Sequence, residues 1–246
     1  MMATFNAVHE IFIDELSVRV YSNGTGPSVL MLHDLGSSVG WFAELSSPLV
    51  SAGHEFVAID LPGCGHSDAV RDQGLASCVD HVAAAMCKLF DGPVDIVGRG
   101  FGGYLALSVA ARYPELVSRL VLDSPTLPPA SGPHEKLKMA PGMAISGAGA
   151  TLRRGRIRHN ISGLSRARSF LAELCQTDKR WWAAVSAITA PTLIVDDGDQ
   201  AGSSKIEALV AAIPGVVRGR SLPAQRKFVP ASALSAQTLL DFLKVS

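Results

Sequence analysis

The sequence predicts an α/β domain, a mostly parallel sheet covered on both faces by helices with a small helical lid, and three observations carry that expectation. Short unbroken apolar runs, SVLMLH, EFVAID, VDIVG, RLVLD and PTLIVD, each end at polar or glycine residues, as strands buried on both faces do. Between the runs, Trp41 to Ala52, Ser77 to Phe90 and Gly103 to Tyr113 carry apolar residues three and four apart, which is the spacing of one helical face. Strand alternating with helix gives parallel pairing with helices on both sides of the sheet.

In chain order, EIFIDELSVRVYS comes first and alternates like a two-stranded hairpin. The apolar runs at 28–33, 55–60, 94–98, 119–123 and 191–196 then supply the parallel strands. The rhythm breaks from Thr126 to about Arg180, where PTLPPASGP and PGMAISGAG are followed by the basic stretch LRRGRIRHNISGLSRAR. This marks residues 126–180 as a lid inserted into a core formed by 1–125 and 181–246. In such sheets ligands bind beyond the carboxyl ends of the strands, so the residues just after each run matter most.

Bulk composition narrows the partners. The 246 residues are 48% hydrophobic and 18% charged, with 22 Lys plus Arg against 22 Asp plus Glu, so no net field draws the chain to nucleic acid or an anionic membrane. A small, weakly charged molecule is the expected partner. Cys64, Cys78, Cys87 and Cys175 are scattered, without the pairing of a zinc site or a disulfide framework. No motif implies a metal or organic cofactor. The opening MMATFNAVHEIF lacks a basic start followed by an apolar core, and the expected location is the cytoplasm.

LMLHDLGSS, DLPGCGHSD, VGRGFGG, ITAPTLIVDDGDQ and LPAQRKFVP, in that order, together resemble the α/β-hydrolase superfamily. LMLHDLGSS is similar to the loop after its third strand, DLPGCGHSD to its Asp-x-Pro-Gly-x-Gly-x-Ser turn, and VGRGFGG to its Gly-x-Ser-x-Gly-Gly elbow. ITAPTLIVDDGDQ resembles the strand that delivers the catalytic acid, and LPAQRKFVP the stretch that delivers the catalytic histidine. The matches come in the family's order and cover most of the chain outside the lid.

At the catalytic positions the likeness fails. Acyl-enzyme chemistry needs a nucleophile on the strand-to-helix turn, a histidine to take its proton and an acid to orient that histidine. Here the elbow position is Gly100, the acid position falls on Gln200 or, with one residue of slippage, Ala201, and the histidine position falls on Lys227. The resemblance therefore implies a pseudo-hydrolase with all three positions vacated. What remains is the elbow itself, whose amide at Phe101, joined by that of Leu35, forms the implied oxyanion hole.

Asp34, Arg99 and Lys227 are expected around that hole, and Asp34, Arg99 and His33 are the candidate catalytic side chains. Asp34 stands where the family has glycine; it could act as a general base or bind a cationic group. For His33 the alternative is a hydrogen-bonding role in its loop, and for Arg99 a salt bridge on the elbow's flank. Asp123, just past another strand, is the family's other location for the acid. Gly98, Gly100 and Gly103 also match G-x-G-x-x-G, but a dinucleotide fold would carry that fingerprint near its first strand.

Three functions remain open at this level. One is a non-hydrolytic catalyst (cyclisation, isomerisation, elimination or a similar rearrangement) acting on an apolar carbonyl-bearing metabolite at the oxyanion hole. Another is a non-catalytic ligand-binding or interaction protein. The third is a residual esterase whose nucleophile has moved to Cys64, Ser124 or an activated water.

Overall fold

The computed structural model describes residues 5–70, 74–128, 169–170, 172–174, 176, 179–196, 200–219 and 234–244. The N-terminal hairpin is β1 (Ala7–Ile13) and β2 (Leu16–Asn23), joined by the two-residue turn Asp14-Glu15. Both turn residues have positive φ, 48° and 70°, as a tight hairpin whose twist matches its strands requires. The apolar runs become β3 (Ser28–Leu32), β4 (Glu55–Ile59), β5 (Val94–Arg99), β6 (Val117–Asp123) and β7 (Thr192–Val195). A last strand, β8 (Val217–Arg218), is too short to leave a readable pattern.

These strands form one eight-stranded sheet in the order β1-β2-β4-β3-β5-β6-β7-β8. The hairpin joins β4 antiparallel, and every pairing from β4 to β8 is parallel. The helices are α1 (Ala43–Ser51), preceded by a 3₁₀ turn at Val39–Phe42, α2 (Leu75–Leu89), α3 (Phe101–Arg112), α4 (Lys179–Val185), α5 (Gln200–Ala212) and α6 (Ala236–Lys244). Residues 129–168 of the expected lid fall outside the described residues.

The apolar runs are continuous because both sheet faces are covered. Leu30, Leu32, Val57, Ile59, Ile96, Leu120 and Ile194 pack on one face with Val82 and Met86 of α2 and Leu105 and Val109 of α3. Val29, Met31, Phe56, Ala58, Val97, Val121 and Val195 pack on the other with Leu45 and Leu49 of α1 and Leu239 and Leu243 of α6. Each such side chain contributes about 2 kcal/mol on leaving water, so the sheet's centre is fixed more firmly than its edges. Among the described residues no helix is long and apolar enough to cross a membrane.

The start of α3 lies unusually close to the sheet. A β-carbon on Gly102 would fall 2.1 Å from the carbonyl oxygen of Leu32, so only glycine lets the first turn of the helix rest on the end of β3. The same close approach requires Gly98, whose β-carbon would fall 2.5 Å from the carbonyl oxygen of Gly102, and so explains part of the glycine spacing that mimics a dinucleotide loop. It also delivers the first amides of α3 to the loop after β3, where the site lies.

Candidate functional site

A single residue, Gly100, separates β5 from α3, with φ 52° and ψ −117°. Its N–H donates to the carbonyl of Asp123 and its own carbonyl accepts from Thr126 N–H at 2.8 Å, so the turn is locked from the β6 side. A residue with a side chain pays about 1–3 kcal/mol for such backbone, which glycine avoids. A second constraint is steric. A β-carbon at position 100 would sit 2.2 Å from Cγ and 2.2 Å from Oδ1 of Asp34.

The carboxylate of Asp34 therefore stands against the place where a nucleophile would begin. Its Oδ1 accepts from Leu35 N–H at 2.8 Å and from Phe101 N–H at 2.7 Å. The two amides expected to form an oxyanion hole do converge, and the acceptor they converge on belongs to the chain itself. Helix starts leave N–H groups unsatisfied and carry partial positive charge, so an anion is favoured there. Burial nonetheless raises the pKa of Asp34 above its ordinary value, and the amides of Phe101 and Leu35, then the charge of Arg99, pull it down without reversing the shift. Beyond those amides the Asp34 carboxylate has no further hydrogen bond among the described residues.

Arg99 is the last residue of β5 and pairs across the sheet with Asp123 at the end of β6. Its Nη1 forms a buried ion pair with Asp123 Oδ2, and its guanidinium lies 4.3 Å from the ring centroid of Trp41. That combination of carboxylate and aromatic face suits arginine and not lysine. Asp123 is occupied by this pair, which keeps a second carboxylate from facing Asp34 unbalanced.

His33 is fully buried. Its Nε2 accepts from Leu61 N–H at 3.1 Å, so the proton sits on Nδ1, which donates to the carbonyl of Asp34 at 2.8 Å. Burial lowers its pKa, and the ring is neutral. Both nitrogens are spent on backbone, tying the loop after β3 to the loop after β4, and neither is left to pass a proton to a bound molecule. The candidate catalytic set thus separates: Asp34 takes up the two amides, Arg99 pairs with Asp123 beside it, and His33 holds the loop.

The turn after β4 is built on Asp60, whose Oδ2 accepts from Tyr21 Oη and His66 N–H, both at 3.0 Å. Burial together with Asp60 pushes the Tyr21 phenol up to about 12. Cys64 is half-buried in this turn and packs against the core. Gln200 opens α5, and Lys227 lies outside the described residues, as do 197–199 and the basic run 153–168. Among the described residues no group of His, Cys, Asp and Glu could hold a metal ion.

An aromatic wall beside the elbow was not foreseeable from sequence. Phe170 stacks on Phe101 at 5.1 Å, Tyr104 on Trp181 at 5.4 Å, and Trp182 meets Trp181 edge-on. The pair WW at 181–182 was a visible apolar signal, but its partners lie some 75 residues away in sequence, beyond what local periodicity carries.

The architecture and the strand-to-helix turn define an α/β hydrolase-type protein. The chain belongs to the α/β hydrolase fold family, whose sequence model matches residues 27–195. It is 32% identical over 117 residues to a 2-hydroxymuconate semialdehyde hydrolase of Pseudomonas sp. strain CF600, a match covering 46% of this chain and 41% of that one. It is 28% identical over 211 residues to a 2-hydroxy-6-oxononadienedioate/2-hydroxy-6-oxononatrienedioate hydrolase of Cupriavidus pinatubonensis, covering 72% and 73%. A pimeloyl-[acyl-carrier protein] methyl ester esterase of Neisseria meningitidis is 37% identical over 96 residues, 39% of this chain and 35% of that one. For several of these relatives the chain thus matches only about two fifths of their length.

Among solved structures, a hydrolase from Pseudomonas aeruginosa PA01 superposes with a TM-score of 0.72 at 19% identity over 97% of this chain and 99% of that one. An enol-lactonase from Burkholderia xenovorans LB400 gives 0.68 at 17% over 96% and 99%. These likenesses establish the fold.

Two stability tests follow from the Asp34–Gly100 contact. Gly100→Ser is expected to cost about 3 kcal/mol by urea denaturation, from strain and overlap together. Combined with Asp34→Gly it should cost at least about 1 kcal/mol less than the two single costs added, because they share one space; simple additivity would contradict the contact. The second test is pH dependence. Because folding raises the Asp34 pKa above 3.8, its contribution to stability is fully present below that value and is lost as pH rises through the folded-state pKa. Asp34→Asn, which copies the protonated form, should therefore be more stable than the native protein at pH 7, with the gap closing toward pH 4; a gap that widens on acidification would refute the assignment.

Proposed function

We propose that this protein catalyses a proton-transfer rearrangement, an isomerisation or elimination, of a small apolar carbonyl compound, with Asp34 as general base and acid and with no covalent intermediate at the elbow. The reading rests on the Asp34 carboxylate, held by two backbone amides through one oxygen while the other accepts no hydrogen bond from the described residues. Burial raises its pKa, which makes the carboxylate a stronger base than one in water. At the turn, Gly100 offers no side-chain atom to attack a carbonyl. Loss of the hydrolytic triad is part of this proposal, and Gln200 and Lys227 are its other two positions.

In the step envisaged, Asp34 Oδ2 takes a proton from the carbon beside the carbonyl. The C–H electron pair forms a carbon–carbon double bond, and the carbonyl π pair moves onto oxygen as an enolate. Return of the proton to another carbon completes an isomerisation, and departure of a leaving group completes an elimination. No water is consumed. The stacked rings of Phe101, Tyr104 and Trp181 make the surroundings of the elbow apolar, which favours an apolar ligand, and the relatives' names, which specify oxo-acids and a methyl ester, also describe carbonyl compounds.

Those relatives are named as hydrolases and an esterase, which favours a second reading: residual ester hydrolysis through a relocated nucleophile. One experiment separates the two. Purified protein is incubated in deuterium oxide with 2-tetralone or acetophenone, with exchange at the carbon beside the carbonyl followed by NMR, and is assayed in parallel against p-nitrophenyl esters. Catalysed exchange is expected, at least about 100-fold slower in Asp34→Asn and partly restored to Asp34→Ala by added formate. Ester turnover without exchange, lost in Cys64→Ala or Ser124→Ala, would establish the hydrolytic alternative.

A further inference from the structure

Three described residues other than glycine have positive φ: Asp14, Glu15 and Ser124. The hairpin turn accounts for the first two. Ser124, with φ 47°, belongs to no hairpin; it follows β6 directly, at the edge of the sheet where the elbow lies. Backbone of this kind costs a residue with a side chain, and it persists only where the surroundings impose it.

The surroundings do impose it. Ser124 N–H donates to the carbonyl of Val195 at 2.8 Å, which continues the ladder toward β7. The carbonyl of Asp123 accepts from Gly100 N–H, and Thr126 N–H donates to the carbonyl of Gly100. Pro125 lies under the first turn of α3, close enough that a β-carbon on Gly103 would come within 2.9 Å of its Cβ. Ser124 is thus clamped to the elbow from both sides.

Its hydroxyl is the second anomaly. Ser124 Oγ is buried and has no hydrogen-bond partner among the described residues. Buried polar atoms in folded proteins are nearly always paired, and an orphan beside the elbow marks a contact left for something else. The enolate chemistry proposed above lacks one component, a donor for the oxygen that gains charge, because Asp34 takes both amides of the expected hole.

We infer that Ser124 is a further substrate-contacting residue, whose Oγ–H donates a hydrogen bond to the carbonyl oxygen of a bound ketone and to the enolate oxygen formed from it. This rests on the proton-transfer reading for its substrate class, an enolisable apolar ketone, while the hydroxyl itself stands on geometry alone. No bond to Ser124 forms or breaks. The proton stays on Oγ while the enolate lives, and the carbon acid's proton goes to Asp34. Strain at Ser124 is then the device that holds the hydroxyl off its backbone neighbours.

The test uses 2-naphthol, a stable planar analogue of the enol of 2-tetralone, with binding measured by calorimetry and melting recorded on the same full-length samples. Ser124→Ala is expected to weaken 2-naphthol about tenfold with an unchanged or higher melting temperature, since no internal hydrogen bond is lost. Ser124→Gly should weaken it equally and melt higher still, through relief of the positive φ. Asp34→Asn should keep 2-naphthol binding while losing deuterium exchange, so failure of the general-base reading leaves a different signature from failure of this one. Equal binding by the native protein and Ser124→Ala, including none by either, overturns the assignment, as does a clear drop in the melting temperature of Ser124→Ala. Loss of an ester hydrolase activity in that variant would overturn it too, in favour of Ser124 as nucleophile.

Discussion

Two backbone amides, those of Leu35 and Phe101, point at one spot and require an acceptor there, and everything distinctive about this protein follows from what fills it. This chain presents these donors because α3 begins immediately after β5 and rests on the end of β3, with Gly102 letting the two backbones nearly touch. Here Asp34 supplies the acceptor from within the chain. The carboxylate can reach it only because position 100 carries no side chain. Asp34 and Gly100 are two halves of one arrangement, and neither substitution is comfortable alone.

Charge around that carboxylate is arranged in layers. The amides and the positive end of α3 face it directly, and Arg99 stands behind, neutralised in turn by Asp123 and laid over Trp41. His33, buried and neutral, adds no charge and instead fixes the loop carrying Asp34 to the turn built on Asp60. Burial still wins over these partners and lifts the Asp34 pKa. A carboxyl fixed at one oxygen, without a hydrogen bond at the other among the described residues and more basic than usual, is suited to moving protons. Its negative charge makes the same spot hostile to the tetrahedral oxyanion of ester hydrolysis.

Much of the fold was legible in the sequence, for a physical reason. Strands buried on both faces leave unbroken apolar runs, and β3 through β7 coincide with those runs to within a residue or two. The strand β8 was not legible, since two residues cannot carry a pattern. Gly100 was visible because the elbow's spacing is fixed by its turn, and Asp34 because it displaces a glycine. What sequence could not say is that the two residues share one volume, which depends on a side-chain direction set by hydrogen bonds 67 positions apart. The Arg99–Asp123 pair is intermediate: both end neighbouring parallel strands, and the register that joins them appears only once the sheet is assembled. The strain at Ser124 left no trace in composition or spacing, because Ser-Pro after a strand is an ordinary turn signal.

If the Asp34 carboxylate occupies the amide pair in solution, those amides report it most directly. In ¹⁵N-labelled protein the Phe101 and Leu35 N–H resonances should lie well downfield, exchange slowly with solvent, and shift together as acid protonates Asp34. Both should lose their shift and protection in Asp34→Ala. Amides that exchange freely in the native protein, and that do not respond to Asp34→Ala, would mean that the hole is open and that its occupant comes from outside the chain.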